Sequence, residues 1–307
     1  MLAAPAIGLA LLLVGLLLQG SGVQVTAREA DHSSVVQATD PQIGDVEVYL
    51  PLMFKDKFYG YTYSDNFADW GSGWPGGNLF ARNSDGSVSD EFTYGYKYDS
   101  NLGSKYPPVV GTDGMVFHIN IQDDQDHVFV TGPSTAYVLQ NFYYEASARR
   151  VSDQLAGDEY GILLSPVPLD PKNPNSQGQI VYTIQVRLTS PWTGHWVFAG
   201  WKISNTHDHE VVVKQEGDTM NYLAGDRYWW NRLRFSRDGN TLRVWMCNEG
   251  TWGKWYEWMP VTRNMADDFP GGVPDKFYIG FFAATSGPYR HSFEAQFDEV
   301  LAVSTPR

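Results

Sequence analysis

Residues 231–245 read NRLRFSRDGNTLRVW, two runs of alternating apolar and polar side chains around the dipeptide Asp238-Gly239. Asp-Gly between two alternating runs is a strong hairpin signal, because a tight two-residue turn needs positive φ at its central positions. The stretch therefore predicts two antiparallel strands with Asp238 and Gly239 as the loop. It specifies a fold better than it specifies an activity.

This register divides the hairpin into an apolar and a polar face. Phe235 is predicted opposite Leu242, and Leu233 opposite Val244, so all four point to the core. The other face carries Arg232 together with the candidate ligand-binding side chains Arg234, Arg243 and Trp245. Arg234 then lies opposite Arg243, a like-charged pair that needs a carboxylate from an adjacent strand or an anionic ligand such as a uronic acid or sulfated sugar. We favour the carboxylate.

The rest of the chain repeats this strand pattern. Residues 142–149 and 180–188 alternate apolar with polar side chains, which predicts half-buried strands. Further strands are predicted at 114–121, 160–164, 196–203, 210–215, 277–283 and 292–303. Many short strands separated by Gly- and Pro-rich turns indicate one large all-β sandwich.

The N-terminus predicts export. Met1–Leu18 contains no charged side chain and is typical of a secretory segment, so residues 1–27 are interpreted as a signal peptide or membrane anchor. Residues 28–45 are polar without periodicity and are interpreted as a flexible linker, which places the sandwich domain at residues 46–307. The predicted location is extracellular or in the cell envelope, with membrane contact only through an uncleaved N-terminal segment.

The net charge limits the kinds of partner that the protein can bind. The cysteine content limits how the fold can be stabilised. The formal net charge is −13, which disfavours nucleic acid as a partner. Cys247 is the one cysteine, so no intramolecular disulfide can form and stability must come from the core. We interpret Cys247 as a packed strand residue.

Several motifs together resemble the concanavalin A-like lectin/glucanase superfamily, closest to bacterial LamG-like and 3-keto-disaccharide hydrolase-like jelly-roll domains. They are Asp65-Asn66-Phe67-Ala68-Asp69 before Gly73-Trp74, the strand 141–149, Tyr160–Leu164, the Asp-Gly hairpin, Phe277–Phe281 and the terminal Phe297-Asp298-Glu299-Val300. The resemblance covers roughly residues 60–303. It implies a two-sheet antiparallel jelly-roll sandwich with any ligand on the concave face or its rim loops, and it does not imply catalysis.

The chain departs from the glucanase branch of that superfamily. It lacks a Glu-x-Asp-x-x-Glu or Glu-x-Asp-x-Glu strand, so no catalytic residue is assigned. The hypothesis we favour is a non-catalytic module that binds carbohydrate or another extracellular ligand. One alternative is a glycoside hydrolase whose two carboxylates come from separate strands, and another is a structural surface or adhesion module.

Tryptophans supply the remaining candidate ligand contacts. Nine of the eleven lie between Trp192 and Trp258, and Trp252 and Trp255 are the preferred stacking platforms for sugar rings.

The resemblance also implies a structural calcium ion near the last strand, with Asp298 as a ligand. The alternation of Phe293, Ala295 and Phe297 breaks just after Asp298, which predicts a β-bulge there.

Overall fold

The computed structural model divides the chain into two compact units, Met1–Tyr59 and Gly60–Arg307. In the first unit, strands β1 (Gln24–Ala30), β2 (Ser33–Asp40) and β3 (Gly44–Leu50) form a three-stranded antiparallel sheet in that order. The predicted domain boundaries after residues 27 and 45 stay predictions. The residues that the structure describes are 24–30, 33–40, 44–50, 61–67, 72–82, 88–99, 115–122, 127–151, 157–171, 178–190, 193–203, 209–220, 230–248, 256–285 and 292–305.

The described residues of the second unit lie mostly in strands, with a short 3-10 helix at Met265–Asp267. Its strands are β4 (Tyr61–Asp65), β5 (Gly77–Arg82), β6 (Val88–Tyr98), β7 (Met115–Ile121), β8 (His127–Thr131), β9 (Tyr137–Leu139), β10 (Asn141–Arg150), β11 (Glu159–Ser165), β12 (Gln179–Ser190), β13 (Thr193–Ile203), β14 (His209–Met220), β15 (Asn231–Asp238), β16 (Thr241–Asn248), β17 (Tyr256–Asn264), β18 (Lys276–Ala284) and β19 (Phe293–Thr305). In the described part of the chain, no helix has the length and apolar character needed to cross a membrane.

These strands form two antiparallel sheets. The nine-stranded sheet runs β17-β16-β15-β10-β19-β7-β6-β5, with β4 paired to β19, and the seven-stranded sheet runs β14-β13-β12-β11-β18-β8, with β9 paired to β18. Neighbours in both sheets are often far apart in sequence, as in a jelly roll. The predicted all-β, two-sheet antiparallel sandwich is confirmed.

Aromatic side chains fill the space between the two sheets. Phe281 of the seven-stranded sheet stacks on Phe297 of the nine-stranded sheet, with ring centroids 4.3 Å apart. The buried Trp74 also stacks on Phe281, with centroids 4.7 Å apart. The hydroxyl of Tyr144 crosses between sheets and donates to the Gly280 carbonyl at 2.7 Å. The sandwich core thus supplies the burial that a chain without disulfides requires.

The hairpin forms, but its predicted register is wrong by two residues. Phe235 pairs with Val244 and Arg234 with Trp245, so the loop is Gly239-Asn240 instead of Asp238-Gly239. Gly239 adopts a φ of +59°, at the first loop position where glycine is preferred in type II′ turns. Its N–H donates to Asn141 Oδ1 at 2.8 Å, which anchors the turn to β10. A shift of two preserves the faces, so the predicted division into an apolar and a polar face is confirmed.

The last strand changes partner at the predicted bulge. Its first half pairs with β7 and its second half with β4, along the same edge. The pairing with β10 shifts in register between Asp298 and Leu301, and Glu299 has a φ of +52°. Such a bulge bends the strand and redirects a side chain. Glu299 lies beside β4, where the two line the candidate site.

Candidate functional site

The nine-stranded sheet turns a polar surface away from the core, and we call this surface the outer polar face. Its members are Lys97, His118, Glu145, Ser147, Arg149, Arg232, Arg234, Glu294, Gln296, Asp298 and Glu299. Along β10 they alternate with core residues such as Tyr144 and Ala146. Strand pairing therefore brings together side chains from β6, β7, β19, β10 and β15.

Glu145 is the centre of one ionic cluster on this face. It is 4% exposed and lies between two arginines of the neighbouring strand β15. Arg232 Nη2 donates to its Oε1 at 3.0 Å, and Arg234 Nε donates to its Oε2 at 2.6 Å. Both oxygens are held by guanidinium groups, which is the strong, charge-assisted form of hydrogen bond.

A cleft of about 560 Å³ opens beside this cluster, where β19 changes partner, and we call it the switch cleft. The described residues that line it are Tyr63, Ser64, Asp65, Asn66, Ser72, Glu145, Arg232, Glu299, Val300 and Leu301. They combine three carboxylates, one guanidinium, hydroxyls and a short apolar wall. The volume lies within the range of small-molecule sites, roughly 300–1,000 Å³.

Glu299 is a carboxylate of the cleft whose environment raises its pKa. It is half-buried, and Ser147 Oγ donates to its Oε2 at 3.1 Å. Burial raises the pKa of Glu299, and the nearby Glu145 carboxylate raises it further against the opposing effects of Arg232 and the Ser147 hydroxyl. Glu145 and Glu299, from different strands, thus share the cleft with Asp65.

Aromatic side chains extend the site across the sheet. Trp245 lies directly opposite Arg234, which lies opposite Glu145, so these three form a cross-strand row that leads away from the cleft. The Arg234 guanidinium lies over the ring of Tyr143, 5.3 Å from its centroid. Trp245 is half-buried, and its Nε1 donates to Ser236 Oγ at 2.8 Å, which fixes the indole ring.

A second polar cluster lies further along β19. Lys97 Nζ donates to both Glu294 oxygens, at 2.6 and 2.8 Å, and His118 Nδ1 lies 3.9 Å from Glu294 Oε1. Burial, and to a smaller extent Lys97, lowers the pKa of His118, although Glu294 opposes this. The charges in this cluster are paired with each other, which is typical of a structural network.

Arg149 closes that cluster on the β10 side. Its Nη2 and Nε donate to Gln296 Oε1 at 2.8 and 3.0 Å, and its guanidinium stacks over Trp230 at 4.7 Å. Gln296 Nε2 donates onward to Asp99 at 2.9 Å. The network stiffens the sheet next to the switch cleft.

The structure brings some of the predicted site residues together. Arg234 and Trp245 are directly opposed, and Arg243 lies on the same face opposite Ser236, so the predicted Arg234–Arg243 pair is wrong. The physical reason is the loop at Gly239-Asn240, which shifts every partner by two. The preferred explanation for the arginines is supported, since a carboxylate of the adjacent strand holds Arg234.

Trp252 and Trp255 lie outside the described residues, so their predicted role in binding stays a prediction.

Asp298 is 2% exposed, and its Oδ1 accepts a hydrogen bond from the Glu299 N–H at 2.8 Å. Within the described ranges, no group of three or more His, Cys, Asp or Glu side chains could hold a metal ion. The predicted calcium site at Asp298 stays a prediction.

Sequence reasoning missed Glu145 and did not separate Glu299 from its neighbours. Glu145 reads as an ordinary polar residue of an alternating strand, and its partners are 87 and 89 residues away. The available signal for Glu299 was the break in alternation on β19. That break predicted a bulge without indicating which side chain it presents.

Comparison with known proteins gives a likeness of fold alone. No protein-family model matches the chain, and no curated protein matches it. Similar solved structures include the catalytic domain of an endo-1,3-beta-glucanase (laminarinase) from Thermotoga petrophila, at 9% identity, with a TM-score of 0.40, covering 82% of this chain and 100% of that one. Lectin II from Ulex europaeus, at 9% identity, has a TM-score of 0.40 and covers 79% of this chain and 98% of the lectin.

A further similar structure is the CBM2 module of the evolved Dit protein of Lactobacillus casei phage J-1. It is 10% identical, has a TM-score of 0.40, and covers 81% of this chain and 98% of that module. The similar structures thus include lectins and a glucanase. Such low identities and TM-scores say nothing about the activity of this chain.

Proposed function

We propose that this chain is an exported carbohydrate-binding β-sandwich. Its ligand lies in the switch cleft and extends over the row of Glu145, Arg234 and Trp245. The observation that carries the proposal is this juxtaposition of a cleft rich in hydrogen-bonding groups with a half-buried indole on the same face of the sheet. Binding without catalysis is the preferred form of the proposal.

The chemistry of the face suits a sugar. Sugar rings present C–H faces to aromatic rings and hydroxyl groups to polar side chains, so a sugar site combines flat aromatics with convergent donors and acceptors. Trp245 and Tyr143 supply the rings, while Glu299, Ser64 and Asn66 supply hydrogen-bonding groups at the cleft. Ser64 and Asn66 are exposed and therefore accessible to a ligand.

A glycan array followed by titration calorimetry tests the proposal. Trp245→Ala is expected to weaken binding by about fivefold, because stacking on an aromatic ring contributes on the order of 1 kcal/mol. Tyr98→Ala is the matched control, since Tyr98 is an exposed aromatic of the same sheet outside the row. Equal affinity of the wild type and Trp245→Ala would remove the row from the binding site. Trp252→Ala and Trp255→Ala test the other two predicted platforms in the same assay.

The carboxylate pair favours one second candidate, a glycoside hydrolase. Hydrolysis of a glycosidic bond uses two carboxyl groups, one of them an acid with a raised pKa, and Glu299 has the raised pKa that this role needs. Glu145 suits the second role poorly, because guanidinium groups occupy both of its oxygens. Release of reducing ends from a polysaccharide by the wild type, and its loss in Glu299→Gln, would establish this candidate over simple binding.

A further inference from the structure

We propose that the switch cleft selects uncharged sugars over uronic acids and sulfated sugars, with Glu299 accepting hydrogen bonds from sugar hydroxyl groups. This inference rests on the proposed carbohydrate-binding function and names the chemical class of its ligand. It decides against the anionic ligand that the predicted Arg234–Arg243 pair had suggested.

The arginines nearest the cleft already have an anionic partner within the protein. Arg232 and Arg234 donate to opposite oxygens of Glu145, at 3.0 and 2.6 Å. A carboxylate or sulfate of a ligand that bound to the same guanidinium donors would have to displace Glu145, which is 4% exposed. Displacement would leave a buried carboxylate without its partners, and such an unpaired charge is strongly unfavourable.

Carboxylates outnumber guanidinium groups in the described wall of the cleft. Its described lining contains three carboxylates, Asp65, Glu145 and Glu299, and one guanidinium, Arg232. The protein as a whole carries a net charge of −13. An anionic ligand would therefore meet like charge both locally and in the overall field.

The cleft offers a neutral ligand hydrogen-bond acceptors on its carboxylates. Asp65 is already used by the protein, because Trp74 Nε1 donates to its Oδ2 and the Phe67 N–H donates to its Oδ1, at 2.9 and 2.8 Å. Glu299 Oε2 accepts from Ser147 at 3.1 Å, and a carboxylate has about four lone-pair sites. Glu299 thus retains the capacity to accept from the hydroxyl groups of a sugar.

The ionisation of Glu299 should make the binding of a neutral sugar depend on pH. Charged and titratable groups face Glu299 from three sides: Arg232 on β15, Glu145 on β10, and Asp65 and Tyr63 on β4. An ionised carboxylate accepts hydrogen bonds more strongly than a protonated one, and burial raises the pKa of Glu299. Binding of a neutral sugar should therefore weaken as the pH falls through this raised pKa.

The experiment titrates the full chain with two matched series of tetrasaccharides. The neutral series contains β-1,3-linked and β-1,4-linked glucose and β-1,4-linked mannose, and the anionic series contains the corresponding glucuronates and mannuronate. We expect the neutral series to bind at least tenfold more tightly. Glu299→Gln should weaken neutral binding by about tenfold and strengthen uronate binding, while Glu210→Gln, at an exposed position on β14, should change neither.

The outcomes separate this inference from the function on which it rests. Tighter binding of the uronates would overturn the inference and leave carbohydrate binding intact. Neutral binding that Trp245→Ala weakens and Glu299→Gln does not would remove Glu299 from the site. If neither series bound to the folded wild type or to the folded variants, the proposed function itself would fail. Circular dichroism and thermal unfolding establish that each variant is folded.

Discussion

Replacing Glu159 by glutamine should stabilise the sandwich at alkaline pH and have little effect at acidic pH. Glu159 lies on β11 and is 6% exposed, and burial is the main reason that its pKa rises to about 7 from an ordinary 4.5. Arg187 and Lys214 oppose the rise, while Glu216 and Asp158 add to it. The side chain is therefore more readily protonated in the folded protein than in the unfolded chain.

The sign of the effect follows from linkage. A carboxyl group with a raised folded-state pKa contributes stability that is fully present below its unfolded pKa and is lost as the pH rises to the folded value. For a shift of Glu159 from 4.5 to about 7, this loss amounts to about 3 kcal/mol, at 1.36 kcal/mol per pH unit. Most of it falls between pH 5 and pH 7.

Glutamine is neutral throughout this range and keeps the shape of the side chain. The Gln185 Nε2 group, which donates to Glu159 Oε2, can donate to the new amide oxygen instead. The variant loses the ion pair in which Arg187 Nε lies 3.4 Å from Glu159 Oε1, but Arg187 also pairs with Glu216 at 2.8 Å. We therefore expect the free energy of unfolding of Glu159→Gln, taken relative to wild type, to be about 2 kcal/mol higher at pH 8 than at pH 5.

Urea unfolding followed by tryptophan fluorescence at pH 5 and pH 8 measures this difference. Glu210→Gln is the control, because Glu210 is an exposed carboxylate on the same seven-stranded sheet. An equal loss of stability at both pH values in Glu159→Gln would refute the reasoning. It would show that Arg187 and Lys214 keep Glu159 ionised in the folded protein.

Two glycines give further predictions, with Gly271→Ala as the common control, since a Cβ at Gly271 meets no atom within 4 Å. Gly161→Ala should destabilise the sandwich by about 3 kcal/mol or more, because its Cβ would lie 1.9 Å from the Ile184 carbonyl oxygen. Gly239→Ala should cost about 1 kcal/mol, because Gly239 has a φ of +59° and open space around it. Urea midpoints measure both, and a Gly161→Ala midpoint equal to that of the control would contradict the packing of β11 on β12.

Local pattern was enough to predict the strands and their faces. Alternation placed Leu233, Phe235, Leu242 and Val244 on the core side of the hairpin, and all four are fully buried. It failed for the register, because a shift of two residues leaves every side chain on the same face. Contacts from elsewhere, such as the Asn141 side chain on the Gly239 N–H, accompany the loop that the chain adopts.

The candidate site shows the same division. Local alternation placed arginines and a tryptophan on the polar face of one hairpin, and its break predicted a bulge in the last strand after Asp298. The order of the strands in the folded sheet places β10 and β19 side by side and next to that hairpin. This order brings Glu145 to the arginines and Glu299 to the cleft. The reason is physical: side-chain alternation is a local property of a strand, whereas strand order depends on how two whole sheets bury their apolar faces against each other.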